Sequence, residues 1–178
     1  QIKSADIVFC NIGMLVTEGY DQPFKLPDTQ LERVRECVDN NPNTVVIVTT
    51  GSGVKMTGWH DKAAAILFTW YPGQIGNVAI AEVLSGKVNP SGKLPITIEK
   101  EFEDSPGSDY MKSVNFYYDD STMGENITNE QHLYPLYDVN YDEGVFVGYR
   151  WYEKEKIEPL FPFGFGLSYT TFDYSDIK

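Results

Sequence analysis

The sequence predicts an α/β fold, a layered sandwich in which a mostly parallel sheet is flanked by helices, with the domain only partly present. Two observations carry this. Short β-branched, apolar runs of strand length recur, and between them stand stretches with apolar residues at helical spacing, an alternation that belongs to parallel βα units. A third supports it: turn clusters rich in Pro, Gly and Asn divide these runs from one another.

Asp6 to Gly13, Asp-Ile-Val-Phe-Cys-Asn-Ile-Gly, reads as a covered parallel strand ending at a glycine. Thr17 to Pro23, Thr-Glu-Gly-Tyr-Asp-Gln-Pro, follows as an acidic loop. Ligands of open α/β sheets bind outside the carboxyl ends of the strands, so chemistry is expected on this loop. Taken alone, Glu18 and Asp21 read as solvated loop acids. Leu26-Pro27-Asp28 supplies a stop and a cap, and Leu31, Val34, Cys37 and Val38 recur at helical spacing up to Asn40 and Asn41. Thr44 to Thr50, Thr-Val-Val-Ile-Val-Thr-Thr, is the clearest strand.

Gly51-Ser52-Gly53 reads as a strand-end turn, because it lacks both the Lys-Ser/Thr of a phosphate loop and the third glycine of a dinucleotide fingerprint. Trp59, His60 and Asp61 precede the apolar run Ala64 to Trp70. His60 and Asp61 are sequence neighbours and point different ways, so a surface or capping histidine is expected rather than a catalytic dyad. Tyr71-Pro72-Gly73-Gln74 is a turn, and Ile75 to Leu84 a second amphipathic helix closed by Gly86. After the turn Asn89-Pro90-Ser91-Gly92, Lys93 to Ile98 reads as a further short strand.

From Glu99 to about Asn140 no period persists, which marks either a functional excursion or a partly disordered segment. Asn126-Ile127-Thr128 fits a glycosylation acceptor. Asn140 to Tyr152 returns as an apolar-aromatic stretch, and Pro159 to Tyr169 alternates glycine with phenylalanine, a pattern suited to a wedge packed on a neighbouring surface or to a sugar-stacking platform.

Composition narrows the classes of function. The chain has 178 residues, of which 42% are hydrophobic, enough for one compact domain with a core. A formal charge of −12 without a basic patch argues against nucleic acid and against an anionic membrane as partners. Aromatic residues, twelve of them tyrosine, make up 14% of the chain and suit sugars and other polyols as well as a core. Cys10 and Cys37 fall in apolar phases of their elements and are expected as buried thiols. No apolar run reaches the roughly 18 residues of a membrane span. Two histidines and two scattered cysteines without metal-binding spacing support no metal site. The start at Gln1 reads as an excised piece of a longer polypeptide.

Three stretches together resemble the α/β-sandwich domain of glycoside hydrolase family 3, the β-glucosidase and β-xylosidase family. Trp70-Tyr71-Pro72-Gly73-Gln74 leading through Gly86 to Asn89-Pro90-Ser91-Gly92-Lys93-Leu94-Pro95 is similar to its helix-turn-strand signature. Tyr141-Asp142-Glu143-Gly144-Val145-Phe146-Val147-Gly148-Tyr149-Arg150 and Pro162-Phe163-Gly164-Phe165-Gly166-Leu167-Ser168-Tyr169 resemble its two downstream blocks in the right order. The resemblance implies that Glu18-Gly19-Tyr20-Asp21 matches the family loop, usually Glu-Gly-Tyr-Asp-Arg, that reaches a neighbouring TIM-barrel domain and supplies the general acid/base, Glu18. Gln22 stands where arginine is usual, which leaves Asp21 without its expected partner. Tyr20, Asp21, Tyr117 and Tyr118, with Tyr134, are candidate substrate contacts. The substrate would be a β-glycoside or oligosaccharide, and no cofactor is implied.

The family nucleophile lies in a Ser-Asp-Trp-like motif on the barrel. Here Ser108-Asp109 and Ser175-Asp176 are followed by Tyr110 and Ile177, and this length cannot form an eightfold barrel. The fragment alone is therefore expected to be inactive. By the same resemblance, residues 1–172 correspond to the sandwich domain without its first units, and 173–178 begin a linker to a fibronectin-like domain. Units missing before Asp6 would leave sheet or helix surface uncovered, so association of the isolated piece is expected. A secreted or periplasmic parent is expected for a polysaccharide degrader. The rival readings are a non-catalytic carbohydrate-binding or scaffolding domain, and a flavodoxin-like anion or nucleotide binder, which the missing phosphate loop weakens.

Overall fold

A computed structural model describes residues 1–15, 22–108 and 141–176. A short 3-10 turn, Ile2–Ser4, leads into strand β1, Val8–Gly13, followed by helix α1, Asp28–Asn40, and strand β2, Thr44–Thr49. Strand β3, Ala65–Phe68, and helix α2, Gly76–Leu84, come next, and helix α3, Tyr149–Glu155, lies near the end. The three strands form one parallel sheet in the order β1-β2-β3. The predicted α/β class, both opening strands and the first two helices are all present.

Register fixes what each face of the sheet carries. Cys10 pairs with Val46 and Ile12 with Val48, while Val46 pairs with Ile66 and Val48 with Phe68, so these side chains share one face. α1 covers that face with Val34, Cys37 and Val38, the three buried residues of its apolar stripe. The opposite face carries Phe9 against Val45 and Asn11 against Ile47. A parallel pair needs a crossover. α1 provides it between β1 and β2, whereas between β2 and β3 an irregular stretch does so, burying Val54, Met56 and Trp59 in the core.

The start of α1 differs from expectation. Pro27 occupies the N-cap position and no side chain caps the helix. The Asp28 carboxylate instead accepts from Lys25 Nζ at 2.8 Å. Lys25 holds that carboxyl below its ordinary range, first by the hydrogen bond and then by its charge. At the far end the Asn41 amide donates to the carbonyls of Ile2 (2.9 Å) and Ala5 (2.7 Å) and accepts from Asn43 N–H (2.8 Å), which ties the first residues to the end of α1. α2 closes as predicted, on Gly86 at φ +75.

Lys93 to Ile98 is not a strand of the sheet. It carries a single antiparallel bridge, Ile98 to Phe161. Pro95 lacks the N–H that a ladder requires, and bonds form only on either side of it: Leu94 N–H to Phe165 O and Gly164 N–H to Leu94 O, both 2.8 Å, and Ile98 N–H to Phe161 O, also 2.8 Å. The glycine-phenylalanine stretch thus packs as the expected wedge. Leu160 and Phe161 lie against the core, and Phe165 stacks on Phe161 with ring centroids 5.1 Å apart. Glycine is required at 166, where a Cβ would stand 2.4 Å from the Gly92 carbonyl oxygen. The apolar-aromatic stretch becomes turns followed by α3, which buries Tyr152.

Both cysteines are buried and free, as expected. Burial first, and then a hydrogen bond with Cys37, push the Cys10 thiol up to about 12, which leaves it protonated and unreactive at neutral pH. His60 lies half-buried, its Nδ1 3.1 Å from the Met56 carbonyl and its ring edge-on to Phe161.

Candidate functional site at the carboxyl ends of the strands

Glu18, Tyr20 and Asp21 fall in residues 16–21, and Tyr117, Tyr118 and Tyr134 in residues 109–140, all outside the described residues. The two ends of the acidic segment, Leu15 and Gln22, are described. They emerge at the carboxyl ends of β1 and β2, the edge of a parallel sheet where ligands bind.

The departing end is tied down by three elements. In a parallel ladder alternate residues bond to opposite sides. Val8 and Met14 donate toward β2, to Asn43 O and to Thr49 O (3.0 Å). Gly13 therefore turns its N–H and C=O to the outer edge of β1. There the Gln30 side chain from the first turn of α1 takes both, Oε1 accepting from Gly13 N–H at 2.8 Å and Nε2 donating to Gly13 O at 2.7 Å. The Gln30 amide stands as a neighbouring strand's peptide would. Gly13 is pressed against β2 so closely that a Cβ would lie 2.4 Å from Thr49 O.

The third tie is Tyr71, whose hydroxyl donates to the Met14 carbonyl at 3.2 Å. Tyr71 reaches it because Trp70, just after β3, adopts φ +53, a left-handed conformation rare for a bulky residue. Its ring lies beside Phe68 with centroids 4.7 Å apart, and the reversal carries Tyr71 across Gly51. The returning end is held at Gln22, whose Oε1 accepts from the buried Thr50 hydroxyl at 2.9 Å. Gln22 Nε2 is buried without a hydrogen-bond partner among the described residues. Thr49 and Thr69 complete a polar rim, their hydroxyls 2.9 Å apart.

Gln30, Thr50 and Tyr71 escape a reading of the sequence. Gln30 shows only as a polar residue in a helix's first turn, and Tyr71 only as part of a turn and of the Trp70–Gln74 signature, neither of which announces its bond to Met14. Among the described residues no group of three or more His, Cys, Asp or Glu could hold a metal ion, and no helix is long and apolar enough to cross a membrane.

A second concavity of about 410 Å³ lies away from this rim, lined by Thr97, Glu99, Tyr149, Arg150 and Tyr152 among others. Burial raises the Glu99 carboxyl above its ordinary value, against a backbone hydrogen bond that lowers it. The Tyr152 hydroxyl is raised too, by burial and then by the charges of Glu99 and Asp104.

Residues 1–149 match the family model described as the glycosyl hydrolase family 3 C-terminal domain. The chain belongs to glycosyl hydrolase family 3. Within this family it is 40% identical over 159 residues to beta-glucosidase BoGH3A of Bacteroides ovatus, covering 89% of this chain and 19% of that protein. It is 45% identical over 168 residues to beta-glucosidase B of Emericella nidulans, covering 91% and 18% respectively. The crystal structure of the family 3 beta-glucosidase of Bifidobacterium adolescentis superposes with a TM-score of 0.74 at 36% identity, over 96% of this chain and 23% of that one. The chain spans about one fifth of the length of the curated relatives it matches.

Proposed function

We propose that this chain supplies the general acid/base, Glu18, to a retaining, exo-acting β-glycosidase, a β-glucosidase, whose nucleophile resides on a TIM-barrel domain elsewhere in a longer polypeptide. The observation that carries the reading is family membership with close beta-glucosidase relatives. It is supported by the sequence Glu18-Gly19-Tyr20-Asp21, which follows β1 and precedes α1 along the chain.

A retaining glycosidase uses one carboxylate to attack the anomeric carbon and one carboxylic acid to protonate the leaving oxygen, the two about 5 to 5.5 Å apart. The acid then deprotonates the water that releases the sugar. Glu18 performs both proton transfers, and it must start protonated, which desolvation beneath the second domain and the negative nucleophile both favour. Tyr20 and Asp21, with Tyr117 and Tyr118, contact the β-glycoside. Without the second domain there is no nucleophile, so the 178-residue chain by itself is inactive.

In the full-length polypeptide, Glu18→Ala lowers turnover, and added azide restores it by forming a glycosyl azide, since a small anion needs no general base to attack the glycosyl-enzyme. Absence of rescue, or full hydrolysis of an aryl β-glucoside by the isolated chain, would overturn the reading.

A further inference from the structure

The concavity of about 410 Å³ beside α3 has the size of a small-molecule site, roughly 300–1,000 Å³, and its lining follows from local structure. Ile98 is wholly buried in the core and fixed there by Phe161, which accepts from its N–H and donates to its carbonyl at 3.1 Å. Alternate residues of an extended stretch share a face, so Thr97 and Glu99 turn to the side opposite Ile98 and enter the lining. Gly148, at φ +57, turns the chain into α3, where Tyr149 and Tyr152 stand on one face at a spacing of three. Tyr149 also pairs with Phe163 of the wedge, their ring centroids 5.3 Å apart and their planes inclined by 36°.

The polar groups of this lining are short of partners. The Thr97 hydroxyl oxygen is buried and has none among the described residues, which in a folded chain calls for an explanation. Tyr152 is 6% exposed, and its hydroxyl makes no hydrogen bond among the described residues, although the charges of Glu99 and Asp104 act on it. The Glu99 carboxyl is itself partly withdrawn from water. The two rings, by contrast, stand about half exposed, Tyr149 at 48% and Phe163 at 52%. Open aromatic faces beside unpartnered hydroxyls and a carboxyl suit a ligand with an apolar face and a polar edge.

We propose that the concavity binds one unit of a neutral saccharide, its ring stacked on Tyr149 and Phe163 and its hydroxyls bonded to Thr97, Glu99 and Tyr152. A pyranose ring offers C–H groups on its faces and, around its edge, hydroxyls that each donate and accept. The Thr97 and Tyr152 hydroxyls can do either in return, the Glu99 carboxylate accepts, and Arg150 adds donors. A wholly apolar ligand would leave Thr97 and Glu99 desolvated and unpaired. A metal ion finds too few ligands, since no group of three or more His, Cys, Asp or Glu stands together among the described residues. An anion meets the charges of Glu99 and Asp104 and a formal charge of −12 over the chain. The inference does not rest on the reading of Glu18.

The test is equilibrium dialysis of the full-length polypeptide against labelled thiocellobiose, a disaccharide whose sulfur linkage resists hydrolysis. Deoxynojirimycin is held at saturation throughout, to occupy any glycosidase site. Saturable binding of thiocellobiose persists under that block. Tyr149→Ala, at a half-exposed position, weakens it by roughly 3- to 10-fold through lost stacking. Tyr152→Phe and Thr97→Val each keep the shape and remove a hydroxyl, weaken it by about 2- to 10-fold, and carry the test if Tyr149→Ala does not fold. Absence of saturable binding under the block, or wild-type affinity in all three variants, would overturn the proposal. So would displacement of the label by glucose 6-phosphate and not by glucose, which would make this an anion site built on Arg150. The readout is binding and not turnover, so failure of the acid/base reading leaves each of these outcomes as it stands.

Discussion

The two faces of the sheet are built from similar residues and meet different surroundings. On one, Cys10, Ile12, Val46 and Val48 are covered by α1 and by the Val54–Trp59 crossover, and Val46 is 0% exposed. On the other, Ile47 of the central strand is 8% exposed, but Phe9 on β1 is 54% exposed, with Ile7 just ahead of the strand at 55%. Strands of parallel sheets are ordinarily buried on both faces. Apolar composition therefore records that a strand is meant for an interior, while only the packed structure says which face has a cover. The cost of a substitution should follow the cover and not the residue type.

The largest test of that contrast is a charge on the covered face. Val46→Asp buries a carboxylate with no partner, a penalty of several kcal/mol against a total stability of roughly 5–15. It is expected to abolish the cooperative thermal transition seen by circular dichroism; a folded variant would show the face to be less closed than its packing implies. A smaller probe is Thr44, buried beneath the same helix, whose hydroxyl proton is shared between the carbonyls of Asn41 (2.7 Å) and Cys37 (3.1 Å). Thr44→Val keeps the shape and removes the donor, and denaturant titration should give a loss of about 1 kcal/mol.

Glu99 sharpens the comparison from the side of charge. Its carboxyl is raised in the folded chain chiefly by burial, so on raising pH the unfolded state loses its proton first, near the ordinary value of 4.5. The folded state then binds more protons than the unfolded one, and stability falls as pH rises from 4.5 through the raised folded value. Glu99→Gln should flatten that fall in melting experiments across the window. An unchanged pH profile would mean that water reaches the carboxyl. The smallest expected change in stability is at the exposed β1 side of the second face, where Phe9→Lys should alter unfolding by no more than about 0.5 kcal/mol. The same substitution should suppress concentration-dependent association of the isolated chain in sedimentation velocity. A large loss of stability would mean that Phe9 is packed after all.

The parts of the fold that a reader of the sequence can see are those whose signal is local. β1, α1, β2 and α2 each carry their own period and their own stop: Gly13, Pro27 with Asn41, the turn at Gly51, and Gly86. Lys93 to Ile98 carries the apolar residues of a strand, yet Pro95 interrupts it and its partner is the distant Leu160–Phe165 stretch, a pairing no local pattern announces. The site divides the same way. Glu18 stands in a contiguous motif, whereas the Gln30 clasp joins an amide to a backbone 17 residues away and exists only because register turns Gly13 outward. Tyr71 depends on the left-handed Trp70, and side-chain chemistry gives no sign of that conformation.

The junction between the Lys93–Ile98 stretch and the glycine-phenylalanine wedge also sets an order of events during synthesis. Lys93 and Gly166, bonded through the lysine ammonium, are 73 residues apart, and Ile98, wholly buried, is bridged by Phe161 from that same late stretch. Closing so long a loop costs entropy before any contact repays it. The β1-α1-β2 crossover can form once Thr49 has left the ribosome and takes its remaining partners from β3 and Tyr71 soon after, but Ile98 remains without its lid until Phe161 has emerged. Over that interval the nascent polypeptide exposes an apolar surface that a chaperone could hold, and truncation before Phe161 would leave that surface permanently open.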